Sequence, residues 1–185
     1  MSALENVEAL SQMTDGMHRQ YSSVVRPTND STAEYVVSTV KHFYESLVIV
    51  QYGIKNTLED QSLSGVTLKI ENFTTESGLA VKGVIPLAEG ETIRMADQKF
   101  VYLILDRTGC ESPYPQAKVK ASLTMTITEI DVDTEEEVGS YEEDYDLNEV
   151  TVAIRDYIKA DLVPTGQFKD FWENMGQHEK GCEVT

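Results

Sequence analysis

Apolar and polar residues alternate through the middle of this chain, and this pattern constrains its fold more than any other feature. In the longest run, Val119, Ala121, Leu123, Met125 and Ile127 alternate with Lys118, Lys120, Ser122, Thr124 and Thr126. Residues 66–70 alternate in the same way, and residues 48–54 place Val48, Val50, Tyr52 and Ile54 on one face although Ile49 is also apolar. Further short runs occupy 79–85 and 100–105. Because successive side chains of a strand point to opposite faces, each run has one apolar face. Little helical sequence separates the runs, so we predict a mainly β fold, an antiparallel β-sandwich.

The alternation changes phase after Ile127, since the next apolar residues are Ile130 and Val132. A shift of one residue turns every later side chain to the opposite face of a strand. We therefore expect a β-bulge near Thr128 and Glu129, or a strand that passes from one sheet to the other.

The two ends of the chain lack the strand pattern. Residues 1–31 are polar and weakly periodic. Leu4, Val7 and Leu10 have the spacing of one short helix, and Pro27 prevents its continuation, so we predict a polar linker or arm. We place the sandwich at residues 32–163, with a strand that runs into a turn or helix at 150–158. A short C-terminal helix is predicted within residues 164–185, with Thr165 as its N-cap and Gly176 as its end. Its apolar stripe has helical spacing and consists of Phe168, Phe171, Trp172 and Met175.

Charge and composition exclude several functions. The chain has 185 residues, with 15 Lys and Arg against 32 Asp and Glu, a formal net charge of −17. This charge repels phosphate backbones and anionic lipids, so we expect no nucleic-acid binding and no direct membrane insertion. No apolar run approaches the roughly 20 residues of a membrane helix, and no secretory signal is visible. We interpret Cys110 and Cys182 as reduced thiols of a cytoplasmic protein, with one long-range disulfide as the alternative.

No pattern of catalytic residues is present in the sequence. The three histidines, His18, His42 and His178, are in no motif with a nucleophile, and the G-x-S-x-G, Walker A and G-x-G-x-x-G patterns are absent. We expect His42 to be a surface residue of a strand. Cys110 has no neighbouring cation that would favour its thiolate. We therefore predict that the chain is not an enzyme, with no catalytic, cofactor-binding or metal-binding residues.

Residues 129–149 contain many carboxylates and no base. Asp131, Asp133 and Glu135, with Glu142 at the twelfth position, imitate the loop of an EF-hand. The sixth position, which requires glycine for a sharp turn, is Glu136, and the flanking residues have a strand pattern. A solvated hairpin or loop is the favoured interpretation, and the alternatives are a calcium site and an acidic contact surface for a basic partner.

Five segments resemble a known family. The opening of the appendage (ear) domain of the coatomer gamma subunit is resembled by residues 34–37 (Glu-Tyr-Val-Val), 40–43 (Val-Lys-His-Phe) and 56–66 (Asn-Thr-Leu-Glu-Asp-Gln-Ser-Leu-Ser-Gly-Val). Residues 139–153 are similar to that family's G-Y-E-D-E-Y run, which is also acidic. Residues 168–176 are similar to the segment around the family's F-x-x-A-W-D-E-V-G, with Trp172 in the place of the tryptophan. The resemblance covers about residues 32–176.

The resemblance implies an immunoglobulin-like sandwich followed by the start of a platform subdomain at 164–185. It implies a non-enzymatic appendage of the COPI vesicle coat, which recruits or positions accessory proteins in Golgi-to-ER and intra-Golgi transport. The implied partners are other coatomer subunits, bound through a trunk, and Arf GTPase-activating proteins, bound mainly through the platform. We expect the trunk and most of the platform to be missing here. The implied location is the cytosolic face of Golgi membranes, and the partner-binding residues are unknown.

Two other functions stay open at this point. The ear sandwich of a clathrin adaptor has a similar layout, although residues 56–66 and 141–153 favour coatomer. An acidic calcium-binding β module is the second alternative, because the spacing of the carboxylates at residues 131–142 partly matches that of an EF-hand loop.

Overall fold

Each alternating run forms a strand in the computed structural model, which describes residues 8–17, 19–23, 25–29, 32–158, 165–170 and 172–173. The strands are β1 (Arg19–Ser22), β2 (Arg26–Pro27), β3 (Tyr35–Tyr44), β4 (Leu47–Asn56), β5 (Gln61–Thr75), β6 (Ala80–Ile85), β7 (Thr92–Ile93), β8 (Gln98–Asp106), β9 (Ala117–Ile130), β10 (Glu137–Asp146) and β11 (Val150–Val152). One helix, α1 (Glu8–Thr14), precedes them, and 3-10 turns occupy Ile154–Tyr157 and Thr165–Gln167.

The strands pair into two antiparallel sheets. The first sheet has the order β1-β3-β4-β8-β6, and β2 also pairs with β3. The second has the order β10-β9-β5-β7, and β11 also pairs with β9. The apolar faces of both sheets enclose one core, in which Val50, Leu103, Leu123 and Ile127 are fully buried. The predicted mainly β, immunoglobulin-like sandwich is confirmed.

A second apolar cluster covers the outer face of the first sheet. Leu10 of α1 is fully buried against residues of β4 and β8, among them Ile49, Tyr102 and Ile104. These strands are therefore apolar on both faces, which explains the unbroken apolar residues 47–50 and 100–105.

Within residues 1–31, for which we expect a linker or arm, the described segments form α1 and two strands that pair with the first sheet. Strand β1 pairs with β3, and Arg26 and Pro27 of β2 pair with Thr39 and Ser38 of the same strand. The physical reason is that the outer face of the first sheet is apolar and needs a cover. The polar composition of this segment conceals the contact, because Leu10 is the only buried residue of α1.

The irregularity predicted near Thr128 and Glu129 occurs at that end of the sheet, but on the neighbouring strand. Glu137 pairs with Ile130 and Gly139 with Glu129, so Val138 is the extra residue. Strand β9 remains in the second sheet throughout, and the alternative of a sheet-switching strand is wrong. The phase change has a simpler cause. Ile127 is the last buried core residue of β9, and residues 128–130 of this strand extend past the core.

The strand that runs into a turn after residue 150 is confirmed by β11 and the 3-10 turn at Ile154–Tyr157. Residues 168–170 and 172–173 are helical. Phe168 and Trp172 are exposed, and their rings stack with centroids 6.1 Å apart. Phe171, Met175 and Gly176 lie outside the described residues, as does the side chain of Thr165.

Candidate functional site

The acidic run lies in the hairpin between β9 and β10. In its turn, the Asp131 Oδ1 atom accepts hydrogen bonds from the backbone N–H groups of Thr134 (3.0 Å) and Asp133 (2.9 Å). These bonds lower the pKa of Asp131 below its ordinary value. The backbone N–H of Glu135 also donates to the Asp131 carbonyl, at 2.7 Å. This carboxylate therefore shapes the turn, and in the described part of the chain no three His, Cys, Asp or Glu side chains are arranged to hold a metal ion.

Strand β10 is the exposed edge of the second sheet. On its outer side, the Lys69 Nζ atom lies 2.6 Å from Asp144 Oδ2, and Thr124 Oγ1 donates to Asp144 Oδ1 at 2.7 Å. On its inner side, the Tyr145 ring contacts the Tyr35 ring edge-on, with centroids 5.6 Å apart. The acidic run is thus a solvated hairpin whose inner side is anchored by one tyrosine.

Desolvation and several carboxylates at this end of the sandwich raise the pKa values of two tyrosines. Tyr35 donates its hydroxyl hydrogen to Gln61 Oε1, and its pKa is raised by burial and then by nearby carboxylates. Tyr141, which is 43% exposed, also has a raised pKa, from desolvation and then from carboxylates. The carboxylates that act on one or both tyrosines are those of Glu34, Asp60, Glu129 and Glu143.

A groove of about 310 Å³ adjoins this acidic region, and we call it the hairpin groove. Its apolar lining consists of Met95, Ile130 and Val132, and its charged rim consists of Glu59, Asp131, Glu135 and Arg94, with Gln61 between the groove and Tyr35. Met95 is 53% exposed and Val132 is 50% exposed. The groove combines accessible apolar surface with three carboxylates and one guanidinium.

The fully buried Asn56 side chain holds the segments beside the groove together. Its Nδ2 atom donates to the carbonyl oxygens of Gln61 (2.7 Å) and Ile93 (3.4 Å), and its Oδ1 atom accepts from the N–H of Leu58 (2.9 Å). The backbone N–H of Ala96 donates to the Asn56 carbonyl at 3.0 Å. The start of β5 and the segment after β7 are therefore fixed relative to each other.

His42 is buried, and the expectation of a surface residue is wrong. Its Nδ1 atom lies 2.7 Å from Ser22 Oγ, and its Nε2 atom lies 3.0 Å from Gln51 Oε1. Burial lowers the pKa of His42 below 6.5. The histidine lies on the outer face of the first sheet, where the N-terminal segment buries side chains that the alternation alone would leave exposed.

The other candidate residues are dispersed. Cys110 is a partly buried free thiol, and burial raises its pKa, which disfavours the nucleophilic thiolate. The expectation that it has no neighbouring cation is wrong, because Arg107 is close enough to oppose part of this rise in pKa. His18, His178 and Cys182 lie outside the described residues. Among the described helices, none is long and apolar enough to span a membrane.

Sequence reasoning missed a buried ion pair inside the sandwich. Lys41 Nζ lies 2.6 Å from Asp156 Oδ2 and donates to the carbonyl oxygen of Thr151 at 2.5 Å. Burial lowers the pKa of Lys41, and Asp156 partly opposes that shift. The signal that could have revealed the pair is the phase of Lys41, which lies on the inward face between Thr39 and Phe43.

Comparison with known proteins identifies the family. Residues 1–153 match the family model described as the coatomer gamma subunit appendage platform subdomain. The chain belongs to this coatomer gamma appendage family. It is 28% identical over 149 residues to the probable coatomer subunit gamma of Caenorhabditis elegans, which covers 80% of this chain and 16% of the relative. The coatomer subunit gamma of Dictyostelium discoideum is 26% identical over 149 residues, with the same two shares.

Coatomer subunit gamma-1 of Oryza sativa subsp. japonica is 27% identical over 150 residues, which is 79% of this chain and 16% of the relative. The chain thus spans about a sixth of the length of the curated relatives it matches. The resemblance to the coatomer gamma appendage is confirmed. The matched segment includes the expected arm and most of the expected sandwich, and the family description gives the name platform subdomain to these residues. The division of the chain at residue 164 stays a prediction.

Proposed function

We propose that this chain is a non-enzymatic appendage of a COPI vesicle-coat subunit. It recruits or positions accessory proteins in Golgi-to-ER and intra-Golgi transport. The observation that carries this proposal is the family match over residues 1–153. Fold alone would not carry it, since β-sandwiches serve many functions.

The chemistry of the described residues is consistent with binding rather than catalysis. His42 is hydrogen-bonded on both ring nitrogens, and Lys41 is paired with Asp156 inside the core. The raised pKa of Cys110 disfavours its thiolate. His42 and Lys41 thus hold elements of the sandwich together, whereas an active site brings titratable groups together in a cleft.

The net charge of −17 supports a module that stays away from lipid headgroups. In this proposal the rest of the coat subunit supplies the contact with the cytosolic face of Golgi membranes. Other coatomer subunits bind through its trunk. Accessory proteins such as Arf GTPase-activating proteins bind mainly through the platform.

Affinity capture from cytosol tests this function. The bait is the whole chain, and the matched control bait is an unrelated β-sandwich of similar net charge, which removes proteins captured by charge alone. We expect enrichment of coatomer subunits or Arf regulators over the control. Enrichment of clathrin accessory proteins without these would overturn the proposal in favour of a clathrin-adaptor ear. A set of captured proteins identical to that of the control would overturn recruitment by this chain.

A further inference from the structure

We propose that the hairpin groove binds a short cationic segment of a partner protein. An apolar side chain of the segment lies between Met95 and Val132, and the adjacent Lys or Arg side chains face the carboxylate rim. This inference rests on the proposed recruiting function and names the surface and the chemistry of the partner.

The apolar lining provides the first argument. Met95 and Val132 expose about half of their surface, and they line the groove together with the half-buried Ile130. A groove of about 310 Å³ is at the lower end of the size of ligand pockets, enough for one Leu-sized or Met-sized side chain and its neighbouring backbone. Covering these side chains removes apolar surface from water, which is the main favourable term in association.

The charge of the rim provides the second argument. Glu59, Asp131 and Glu135 oppose the single Arg94 at the groove. The carboxylates of Asp60 and Glu129, which raise the pKa of Tyr141, extend the negative field beyond the rim. A cationic segment is steered toward such a surface, whereas an acidic peptide or a nucleic acid is repelled.

The rigidity of the groove provides the third argument. Asn56 ties the start of β5 to the end of β7, and the Ile130 N–H donates to the carbonyl of Asp60 at 2.8 Å. The turn that carries Val132 is closed by the two backbone bonds to the Asp131 carboxylate. Because the three segments are held in place before binding, little conformational entropy is lost in ordering them when a partner binds.

The free edge of β10 is a weaker candidate for the same partner. Val138 forms a bulge, and Glu143 carries a charge on the inner side of the strand. Bulges and inward-pointing charges are the devices by which edge strands resist the addition of another strand. The groove, which has no such obstacle, is therefore the site that we assign.

The test measures binding of synthetic peptides to the whole chain by isothermal titration calorimetry. The probe is acetyl-Lys-Lys-Leu-Lys-Lys-amide, and the matched control peptide has Ser in place of Leu and the same charge. We expect the Leu peptide to bind ~10-fold more tightly, as burying one large apolar side chain implies. Equal affinity for the two peptides would overturn the proposal, because binding would then be due to charge alone.

Charge variants locate the site. We expect the double substitution Glu59→Lys and Glu135→Lys to weaken binding of the Leu peptide by ~10-fold or more. The matched control is the double substitution Glu76→Lys and Glu111→Lys, which gives the same change in net charge. Both carboxylates are exposed and follow the last residues of β5 and β8, whereas the groove lies near the first residues of these strands. An equal loss of affinity in both variants contradicts a site at the groove.

Methyl NMR gives a readout that does not depend on the variants folding. With ¹³C-methyl methionine, the Leu peptide is expected to shift the Met95 resonance and to leave the resonance of the buried Met125 unchanged. No shift of Met95 at saturation overturns the proposal. These measurements use purified protein, so a failure here with successful capture from cytosol removes the groove and leaves the appendage function. Binding of the Leu peptide without capture from cytosol would support the groove and contradict the recruiting function.

Discussion

Lys41 Nζ and Asp156 Oδ2 lie 2.6 Å apart inside the sandwich, with 4% and 3% of their side chains exposed. The pair joins β3 of the first sheet to the 3-10 turn that follows β11 of the second. Asp156 Oδ2 also accepts the N–H of Ala153 at 3.0 Å, and the ring of Tyr157 packs on Phe43 with centroids 4.5 Å apart. The end of the described sandwich is therefore closed by a polar contact within an apolar layer.

Removal of one partner of this pair is expected to be costly. Lys41→Met leaves the Asp156 carboxylate buried without its cation, and we expect a loss of about 3–5 kcal/mol in the free energy of unfolding. The double variant Lys41→Met with Asp156→Leu is the control, and we expect it to recover much of that loss. Urea denaturation measures both, and a single variant within about 1 kcal/mol of the original chain contradicts the buried pair.

The buried His42 is expected to make stability depend on pH. Its folded-state pKa lies below 6.5, so the unfolded chain binds more protons as the pH falls below 6.5, and the stability that neutral His42 supports is progressively lost. His42→Gln removes this titration. The difference in unfolding free energy between the two chains is therefore expected to change below pH 6.5 and to be constant above it. A difference that does not change between pH 7 and pH 5 rules out the predicted shift.

The Tyr52 hydroxyl is buried and has no hydrogen-bond partner among the described residues. Burial of an unpaired polar group is unfavourable, so we expect Tyr52→Phe to stabilise the chain by about 1 kcal/mol. Tyr35→Phe is the matched control, because it removes a hydroxyl that donates to Gln61. We expect it to destabilise the chain by about 1 kcal/mol. Thermal unfolding of both variants checks the opposite signs, and equal shifts would be evidence against this account.

The docking of α1 on the first sheet is expected to contribute to stability. Leu10→Ala removes a fully buried side chain, and we expect it to cost about 2–5 kcal/mol. Met13→Ala in the same helix removes a side chain that is 36% exposed and is expected to cost clearly less. Urea denaturation compares the two variants. Equal, small losses would mean that the helix does not cover the sheet in solution.

The strands and their inward faces could be predicted from the sequence, because a period of two is a local property. The runs at 48–54, 66–70 and 119–127 all lie within observed strands, and their alternation places Val50, Leu68 and Leu123 in the core. The family could also be recognised, since residues 56–66 and 139–153 are contiguous motifs. Neither inference requires knowledge of which strands lie side by side.

The hairpin groove could not be predicted in this way. Its lining comes from the start of β5, the segment after β7 and the turn after β9, which are far apart in the sequence. The sequence does show the acidic run at residues 129–149, and an acidic contact surface is one interpretation of it. The partners Met95 and Glu59 gave no signal, because nothing local marks a half-exposed side chain as part of a groove.

Local alternation and contiguous motifs thus determined the strands, their core faces and the family of this chain. The tertiary structure alone decided that α1 covers the first sheet and β1 extends it, that His42 and Lys41 are buried, and that three distant segments form one acidic groove. The physical reason is that the pattern along a strand specifies which way a side chain points. What that side chain meets depends on the register of the strands and on the packing of elements from other parts of the chain.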